Sequence, residues 1–396
     1  MKKIILILLF LSFSQPSLAL SDKIYKELDT FTKLIEILDK NYVDVVDEHK
    51  LIEGAIRGML SSLDPHTVYM EPQIYRDFQS DTEGRFGGVG IEISVKDSVL
   101  TVVAPIEGSP ADKAGIKAGD RILKIDSKLT KDLSLIDAVH MMRGNKGEKV
   151  TLSIWREGLT KTQDFTLVRD IIRVESVKSE NLGDGYVYAR ISTFQEHTGD
   201  KLREAMDKMA EKEKKIRGLV LDLRNNPGGL LSEAVKVSDL FMEKGVVVST
   251  RGRDKDVDYQ KAKNNSPYEG IPIIILVNKG SASASEIVAG ALQDVGLAKI
   301  MGTTSFGKGS VQTLVDLGDK SALKVTIARY YTPKGRSIDG KGIVPDIEMG
   351  LDQYYKDYPK QKGKAENEEG ESKSEGKAPA FVDWQKQKAI DALKKM

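Results

Sequence analysis

Residues 271–312 read IPIIILVNKGSASASEIVAGALQDVGLAKIMGTTSFGKGSVQ and contain a strand pattern, a helix pattern and a lysine loop in succession. Residues 271–277 are almost wholly apolar and mostly β-branched, which predicts a strand buried on both faces of a sheet. The serine-rich run 281–286 then opens an alanine-rich helical pattern, because serines followed by an acidic residue are favoured in a first helical turn. Small hydroxyl groups are therefore expected at a helix N-terminus, where unpaired backbone N–H groups suit a nucleophile whose attack creates an oxyanion.

The composition of the 396 residues excludes several classes of function. Basic and acidic residues are balanced, 60 against 59, and no basic stripe points to nucleic acid. Cysteine is absent, so disulfides, thiolate metal ligands and a cysteine nucleophile are excluded together. The length predicts two or three domains.

The first residues carry the pattern of a secretory signal peptide. Lys2 and Lys3 precede an apolar run over residues 4–13, and Ala19 is a small residue at the cleavage position. The run is shorter than the ~20 residues that a membrane anchor needs, and no later segment is long and apolar enough to span a bilayer. We therefore expect a signal peptide over residues 1–19 and an exported, periplasmic or otherwise extracytoplasmic protein that is soluble, with no stable membrane anchor.

An N-terminal helical region is predicted over residues 20–80. Apolar residues recur with a period near 3.6 over residues 22–42, and a second helix is predicted over residues 51–63. The apolar stripe of this region packs either on the protein's own core or on a second copy, so a homo-oligomer through the terminal helices stays open.

The next predicted domain covers residues 84–172. Strand patterns lie at residues 95–103, 121–125 and 149–155, and the run GSPADKAGIKAGD at 108–120 predicts a short capped helix and a glycine turn. This order resembles a PDZ domain of the bacterial type.

In PDZ domains a glycine-rich loop turns its backbone N–H groups toward the terminal carboxylate of a bound peptide, and the peptide adds as a strand to an open sheet edge. The corresponding loop is Gly88, Val89, Gly90 and Ile91. The alternative is a glycine-rich hairpin without a ligand, which the neighbouring 108–120 run disfavours. Arg143 either adds a positive charge to the carboxylate site or is an ordinary surface arginine before a turn.

Strands and helices alternate in the predicted catalytic core, residues 173–350, which indicates an α/β domain with a mainly parallel sheet. Residues 251–270 interrupt the alternation and are expected to form an exposed insertion or lid. The last part, residues 351–396, is predicted to be a disordered linker over 360–378, followed by a helix.

The sequence offers few bases for a serine nucleophile. The four histidines, His49, His66, His140 and His197, are all distant in sequence from the serine run, and structural or surface roles are favoured for them. No G-x-S-x-G elbow is present, which argues against a Ser-His-Asp hydrolase.

Lysine is the other base. Lys308 follows in the next loop, and acting as a base near pH 7 would require lowering its pKa of about 10.4 by ~3 units, at a cost of ~4 kcal/mol that burial can supply. Gln312, four positions on, lies on the same side of either a helix or a strand and could hold the amine. The alternative is a solvated loop lysine.

Two glycine motifs allow more than one interpretation. Residues 302–309 read G-x-x-x-x-G-K-G, close to a phosphate-binding loop, but Gly309 lacks the hydroxyl that binds Mg²⁺ and an extended pattern follows. Nucleotide binding is therefore disfavoured. The run Asn226-Pro227-Gly228-Gly229 after a buried strand pattern is either a simple strand-to-helix turn or a backbone that brings N–H groups close to a reacting carbonyl.

Taken together, the signal peptide, the PDZ pattern, N-P-G-G, S-A-S-A-S-E and F-G-K-G resemble the carboxyl-terminal processing proteases, also called tail-specific proteases, over residues 24–347. The resemblance implies a core related to the crotonase-like and Clp protease folds, a nucleophile at Ser283, a base at Lys308 and Gln312 as its partner. It also implies oxyanion donors at Gly228 or Gly229 and at Ala284. Helix position alone allows any of the three serines of the run.

The predicted function is that of a serine endopeptidase without metal or nucleotide cofactor. Its substrates would be exported proteins or peptides with apolar C-termini that the PDZ domain captures and delivers. The alternative is a catalytically inactive PDZ scaffold or chaperone, which would bind peptides without turning them over.

Overall fold

The computed structural model describes residues 21–96, 99–158, 161–254, 256–263, 266–357 and 378–396. The predicted signal peptide and nearly all of the predicted linker lie outside the described residues. The chain divides into two compact units, residues 1–69 and residues 70–396.

The first unit contains helices α1 (Asp22–Asn41) and α2 (Glu48–Ser61), close to the predicted bounds. The Asp47 side chain caps α2 by accepting a hydrogen bond from the Lys50 N–H at 3.2 Å. No residue of α1 is buried. Its large apolar side chains are exposed: Ile24, Tyr25, Leu28, Phe31, Leu34, Ile37 and Leu38. The short strand β1 (Val68–Met70) lies at the boundary of the two units.

The second unit begins with a helix and a β-rich domain. Its elements are α3 (Pro72–Glu83), β2 (Arg85–Gly88), β3 (Ile91–Lys96), β4 (Val99–Pro105), α4 (Pro110–Lys113), β5 (Arg121–Ile125), β6 (Lys128–Leu129), α5 (Leu135–Met142), β7 (Lys149–Trp155), β8 (Gln163–Val168) and β9 (Asp170–Arg173). The main sheet has the order β3-β4-β5-β7-β8, while β2 pairs with β9. Alternate residues of β7, namely Val150, Leu152 and Ile154, fill its core.

The expectation of one strand over residues 95–103 is wrong. Two strands, β3 and β4, pair antiparallel there, with Val95 opposite Leu100. The alternating pattern continues through both strands of the hairpin, so periodicity alone does not reveal the reversal.

The rest of the second unit is an α/β core. Its elements are β10 (Val177–Asn181), β11 (Tyr186–Ile191), α6 (Thr198–Glu213), β12 (Gly218–Asp222), α7 (Leu231–Asp239), β13 (Val246–Gly252), β14 (Val257–Lys261), β15 (Ile273–Val277), α8 (Ala284–Asp294), β16 (Ala298–Gly302), β17 (Ser310–Asp316), β18 (Ala322–Tyr331), β19 (Ile347–Glu348), α9 (Leu351–Asp357) and α10 (Ala378–Leu393).

The main sheet of this core has the order β10-β11-β12-β15-β16-β19. Its strands run parallel from β11 to β19, and β10 is an antiparallel edge. Every residue of β12 and β15 is buried, so the predicted two-sided burial is confirmed. One face of the sheet packs on α6, α7 and α8, and the other face packs on Trp384, Ala389 and Leu393 of α10.

A smaller antiparallel sheet contains β14, β13, β18 and β17. Strand β14 falls within residues 251–270, which were expected to be an exposed insertion or lid, and it pairs with β13. Helix α9 was also not predicted, and its Tyr354 is buried against Trp384 of α10. Helix α9 is stabilised by α10, which lies farther along the chain, so its own sequence does not indicate it. Strand β14 pairs with the nearby β13, but its residues, VDYQK, are mostly polar and give only a weak strand pattern.

Candidate active site

Ser283 is the N-cap residue of α8, at the end of the loop that follows the buried strand β15. Its backbone has φ 53° and ψ −113°, a positive φ that non-glycine residues rarely adopt. Such strained conformations persist only where the surrounding structure imposes them, and they cluster at functional sites. The fold therefore presents this serine in a sharp, enforced turn at a helix N-terminus.

The two neighbouring serines of the run have structural roles. The Ser281 hydroxyl donates to the Leu223 carbonyl at 2.8 Å, and the Ser285 hydroxyl donates to the Asn226 carbonyl at 2.9 Å. Both residues are fully buried, whereas Ser283 is partly exposed. These contacts fasten the serine run to the turn after β12 and leave Ser283 as the serine that is accessible to a substrate.

A buried carboxylate connects Ser283 with the lysine loop between β16 and β17. Glu286 is 1% exposed and accepts a hydrogen bond from the Ser283 N–H at 2.8 Å. It also accepts bonds from the Ser305 hydroxyl at 2.6 Å, the Gly307 N–H at 2.7 Å and the Lys308 N–H at 2.9 Å. One side chain thus fixes the backbone of both candidate catalytic residues. Sequence reasoning treated Glu286 only as a favoured first-turn acid.

The Lys308 side chain is half-buried, and no ion pair to it is found in the described part of the chain. Burial lowers the pKa of Lys308, because the charged ammonium loses hydration, and the Glu286 carboxylate partly opposes this shift. The direction is the one that a lysine base requires.

The turn after β12 lies against Ser283 at Gly228. A Cβ atom added at Gly228, whose φ is 102°, would lie 2.8 Å from the Ser283 Cβ and 3.0 Å from the Ala284 nitrogen. The Gly228 N–H itself donates to the Asn226 side chain at 2.9 Å. Within the described residues, the N–H groups of Gly229 and Ala284 have no hydrogen-bond acceptor. Of the three expected donors, these two are available.

Gln312 lies on β17, where its amide nitrogen donates to the Ser310 hydroxyl at 2.6 Å and to the Thr326 hydroxyl at 3.4 Å. Neither hydrogen bond of the Gln312 amide nitrogen is to Lys308. Tyr330 of β18 is an addition that the sequence did not suggest. It is 6% exposed, and burial raises its pKa to about 12, while the neighbouring Ser283 side chain opposes this shift.

The predicted peptide-binding loop is held against α4 of the β-rich domain. Val89 is 2% exposed, and its carbonyl accepts a bond from the Ala111 N–H at 3.0 Å. Gly90 has φ 76°, and its carbonyl accepts a bond from the Ser109 hydroxyl at 3.1 Å. Gly88 ends β2 and Ile91 begins β3.

Arg143, just after α5, is neither an isolated surface arginine nor free to bind a ligand. It forms ion pairs with Asp77 at 3.3 Å and Asp81 at 2.9 Å on α3. Its guanidinium lies 4.8 Å from the centroid of the Phe86 ring. Its charge is therefore engaged by α3 in this structure.

Among the described residues, no group of three or more histidine or acidic side chains could hold a metal ion. No helix in the described part of the chain has the length and hydropathy of a transmembrane span.

Three family models match the chain. The model described as Peptidase family S41 matches residues 185–349, a PDZ domain model matches residues 101–156, and the model of the activating protease CtpB N-terminal domain matches residues 13–74.

Relatives extend over most of the chain. It is 49% identical over 347 residues to the carboxy-terminal-processing protease of Bartonella bacilliformis, covering 86% of this chain and 80% of that protein. It is 39% identical over 343 residues to the carboxy-terminal processing protease CtpB of Bacillus subtilis, covering 85% and 70%. The photosystem II D1 C-terminal processing protease has a similar structure, with a TM-score of 0.50 and 32% identity over 81% of this chain and 92% of that one.

These matches confirm the predicted combination of an α/β peptidase core, a PDZ domain and an N-terminal helical region. The chain belongs to the carboxy-terminal processing proteases of peptidase family S41, and it is a serine-type peptidase with a PDZ domain.

Proposed function

We propose that this protein is a serine endopeptidase in which Lys308 is the general base for Ser283. The observation that carries the proposal is the shared carboxylate of Glu286, which accepts the backbone N–H groups of both residues at 2.8 and 2.9 Å. Glu286 thereby fixes the backbone of a strained serine and the backbone of a half-buried lysine. Burial lowers the pKa of that lysine. This is the arrangement that a nucleophile and its base need.

The reaction begins when neutral Lys308 removes the proton from the Ser283 hydroxyl, and the serine oxygen attacks the carbonyl carbon of the scissile peptide. The negative charge that develops on the carbonyl oxygen is stabilised by the N–H groups of Gly229 and Ala284. Protonated Lys308 then donates its proton to the leaving amine. A water molecule, deprotonated by the same lysine, hydrolyses the acyl-enzyme and releases Ser283.

Gln312 would support the base through its carbonyl oxygen. Its amide nitrogen donates to Ser310 and Thr326, so the oxygen is the atom left to accept a hydrogen bond from the Lys308 amine. A neutral acceptor orients the amine without the full positive shift in pKa that a carboxylate would cause.

Substrate capture is assigned to the PDZ domain. The loop from Gly88 to Ile91 would bind the terminal carboxylate of a protein with an apolar C-terminus, and the peptide would add as a strand. The signal-peptide pattern of residues 1–19 supports exported substrates in an extracytoplasmic compartment.

Self-association is assigned to α1, because its apolar face is exposed in the unit that contains it. Helix α10 already buries Trp384, Ala389 and Leu393 against its own sheet. We expect Leu34→Glu to lower the molar mass measured by light scattering, and an unchanged mass would refute this role of α1.

The decisive experiment measures turnover of an unstructured protein with an apolar C-terminus by the wild type and by the Ser283→Ala and Lys308→Ala variants. Both variants should lose turnover while binding the C-terminal peptide normally. Cleavage by either variant would overturn the proposal. Peptide binding without any cleavage by the wild type would instead support the inactive scaffold.

A further inference from the structure

The small antiparallel sheet carries a groove that the proposed mechanism does not use. Its volume is about 510 Å³, and strands β13, β14 and β18 contribute its lining. On β18 the lining extends from Thr326 to Tyr331, which at ~3.3 Å per residue gives a length of about 17 Å. We call it the arginine groove, because its side chains include Arg251, Arg253, Val257, Ile327, Arg329 and Tyr331.

The arginine groove lies on the face of the sheet that points away from the core of the peptidase domain. Tyr330 is buried in that core, and side chains alternate along a strand, so Arg329 and Tyr331 extend from the opposite face. Arg251 of β13 pairs directly with Arg329 of β18 and therefore shares this face. Both arginines are exposed.

Two like charges directly opposite each other across a strand pair destabilise a sheet, so this pair of arginines requires an explanation. The Arg251 guanidinium lies 4.2 Å from the centroid of the Tyr331 ring, which holds it in the groove. Arg329 has an acidic partner, Asp339 at 3.3 Å, but both side chains are largely exposed and such pairs are weak.

The other arginines of the groove lack even this compensation. Among the residues that the structure describes, no acidic side chain forms an ion pair with Arg251 or Arg253, although Asp254 and Asp256 lie close to both in sequence. The groove therefore concentrates positive charge, and an anion bound between Arg251 and Arg329 would relieve their repulsion.

The strand that lines the arginine groove also contacts the loop of the proposed base. Arg329 is opposite Ser310, two residues after Lys308, in the pairing of β18 with β17. The neighbouring Tyr330 N–H donates to the Gly309 carbonyl at 2.7 Å. A ligand in the groove would therefore be held on the strand that supports the Lys308 loop, but on the face of the sheet opposite to Tyr330.

The chemistry of the groove favours an acidic peptide segment. A guanidinium group presents a planar fork of donors that matches a carboxylate. Alternate residues of an extended chain lie ~7 Å apart on one side, so two acidic side chains of one segment could each reach an arginine. Val257 and Ile327 add apolar surface to the lining. A single phosphate group would occupy only part of a groove of this length.

We propose that the arginine groove is a second substrate-binding site, which holds an extended acidic segment of a protein substrate. It lies outside both the candidate active site and the predicted carboxylate-binding loop of the PDZ domain. The inference rests on the proposed function, because the bound segment is part of a protein that Ser283 cleaves.

The binding test uses the full chain with Ser283→Ala, so that the ligand is not cleaved. The ligand is a short labelled peptide rich in glutamate, with an amidated C-terminus that offers the PDZ domain no carboxylate, and its match has glutamine at each glutamate position. At low salt the glutamate peptide should bind about tenfold more tightly. Arg251→Gln combined with Arg329→Gln should abolish this preference.

Two further variants support the binding test. Arg329→Glu reverses one charge and leaves the contact of Arg251 with Tyr331 in place, and it should also abolish the preference. Arg217→Gln removes an exposed arginine just before β12 and should keep the preference, so it is the matched control.

Turnover by the enzyme with Ser283 intact provides the second measurement. An unstructured substrate that carries the glutamate segment upstream of an apolar C-terminus should have a KM about tenfold lower than its glutamine counterpart. Arg251→Gln combined with Arg329→Gln should make the two KM values equal.

Equal affinity of the Ser283→Ala chain for the two peptides would overturn the inference, and so would a preference that the arginine variants retain. Vesicles that contain phosphatidylglycerol are a further probe. Vesicle binding that depends on Arg251 and Arg329, without a preference for the glutamate peptide, would overturn the inference and assign the groove to lipid headgroups. Failure of the proposed function is distinguishable, because cleavage by Lys308→Ala refutes the base, whereas the peptide preference is measured by binding alone.

Discussion

The carboxylate of Glu286 joins the strained turn of Ser283 to the loop of Lys308 through four hydrogen bonds. All four donors are N–H or O–H groups, so a carboxylate, which only accepts, suits the site and an amide does not. Glu286 therefore fixes the backbone of the proposed nucleophile, Ser283, relative to that of the proposed base, Lys308.

We expect Glu286→Gln to destabilise the protein and to lower activity together. The amide NH₂ would face backbone N–H donors, and loss of charged hydrogen bonds in a buried site should cost about 3 kcal/mol of unfolding free energy. Activity should fall by roughly a hundredfold or more, since misplacement of the two groups slows proton transfer. Urea unfolding and peptide turnover measure the two effects, and exposed Glu269→Gln is the control. A stable variant with normal turnover would contradict this role.

We expect Lys308 to destabilise the folded protein near neutral pH. Its folded-state pKa is below the unfolded value of about 10.4, so the folded state binds the proton less well, and stability rises with pH through the window between the two values. We expect Lys308→Met to be inactive. At pH 7 its free energy of unfolding should exceed that of the wild type by about 1.4 kcal/mol for each pH unit by which folding lowers the pKa of Lys308. The gain should vanish above about pH 10.4. Urea unfolding at both pH values tests this, and reduced stability at pH 7 would contradict it.

The sequence could predict the type of the site but not all its members. Helix position alone leaves Ser281, Ser283 and Ser285 equivalent, whereas the fold separates them because two hydroxyls bond to carbonyls that lie 58 and 59 residues earlier. Tyr330 is brought next to the Lys308 loop by the pairing of β18 with β17, where its N–H donates to the Gly309 carbonyl at 2.7 Å. This pairing leaves no local sequence pattern.

The turn after β12, which carries the oxyanion candidates, begins with a buried charge cluster. Asp222 and Arg224 are 0% and 2% exposed and form a bidentate pair with distances of 2.9 and 2.6 Å. From α10, Gln385 accepts a bond from the Arg224 Nη1 at 2.7 Å and donates to the Met349 carbonyl at 2.6 Å. The C-terminal helix thus helps to position Arg224, which lies just before the turn Asn226-Pro227-Gly228-Gly229.

We expect Gln385→Ala to lower stability and turnover, although it lies on the opposite face of the sheet from α8. Arg224 loses one partner in a buried site, and the Met349 carbonyl loses its donor, which should cost about 1–3 kcal/mol. Turnover should fall while peptide binding to the PDZ domain stays unchanged. Gln387→Ala, two positions on and exposed, is the matched control. Equal behaviour of the two variants would exclude the proposed positioning.

Helices and strands could be predicted where a single hydrophobic periodicity continues along the whole segment. Strand β15 is buried throughout and alternate residues of β11 are fully buried, so the sequence pattern and the structure agree for these strands. The hairpin of β3 and β4 was missed because one alternation continues through both strands, and strand β14 because its residues are mostly polar. Helix α9 was missed because it is stabilised by α10, farther along the chain. Tertiary contacts override local preference in such segments.

Helix α3 contacts both the PDZ domain and the catalytic core. Asp77 and Asp81 pair with Arg143, and the His140 Nε2 of α5 lies 3.1 Å from Asp77. Phe78, between these acids, lies against Lys324 of the core. Arg143, which was predicted to meet a peptide carboxylate, is thus held by acidic side chains on the helix that also contacts Lys324 of the core.

If Arg143 contributes to carboxylate binding, a peptide must compete with Asp77 and Asp81 for its guanidinium. We therefore expect Asp77→Asn combined with Asp81→Asn to raise the affinity for a peptide with a free apolar C-terminus, by roughly three- to tenfold, because partly exposed ion pairs of this kind are worth on the order of 1 kcal/mol. Fluorescence anisotropy with a labelled peptide measures the change, and the same peptide with an amidated C-terminus is the matched ligand control. The gain in affinity should be confined to the peptide with the free carboxylate. It should disappear when Arg143→Gln is combined with the two other substitutions. Equal gains for both peptides would instead assign the acids to general repulsion of the ligand, and no gain would show that Arg143 is not released for binding when the two charges are removed.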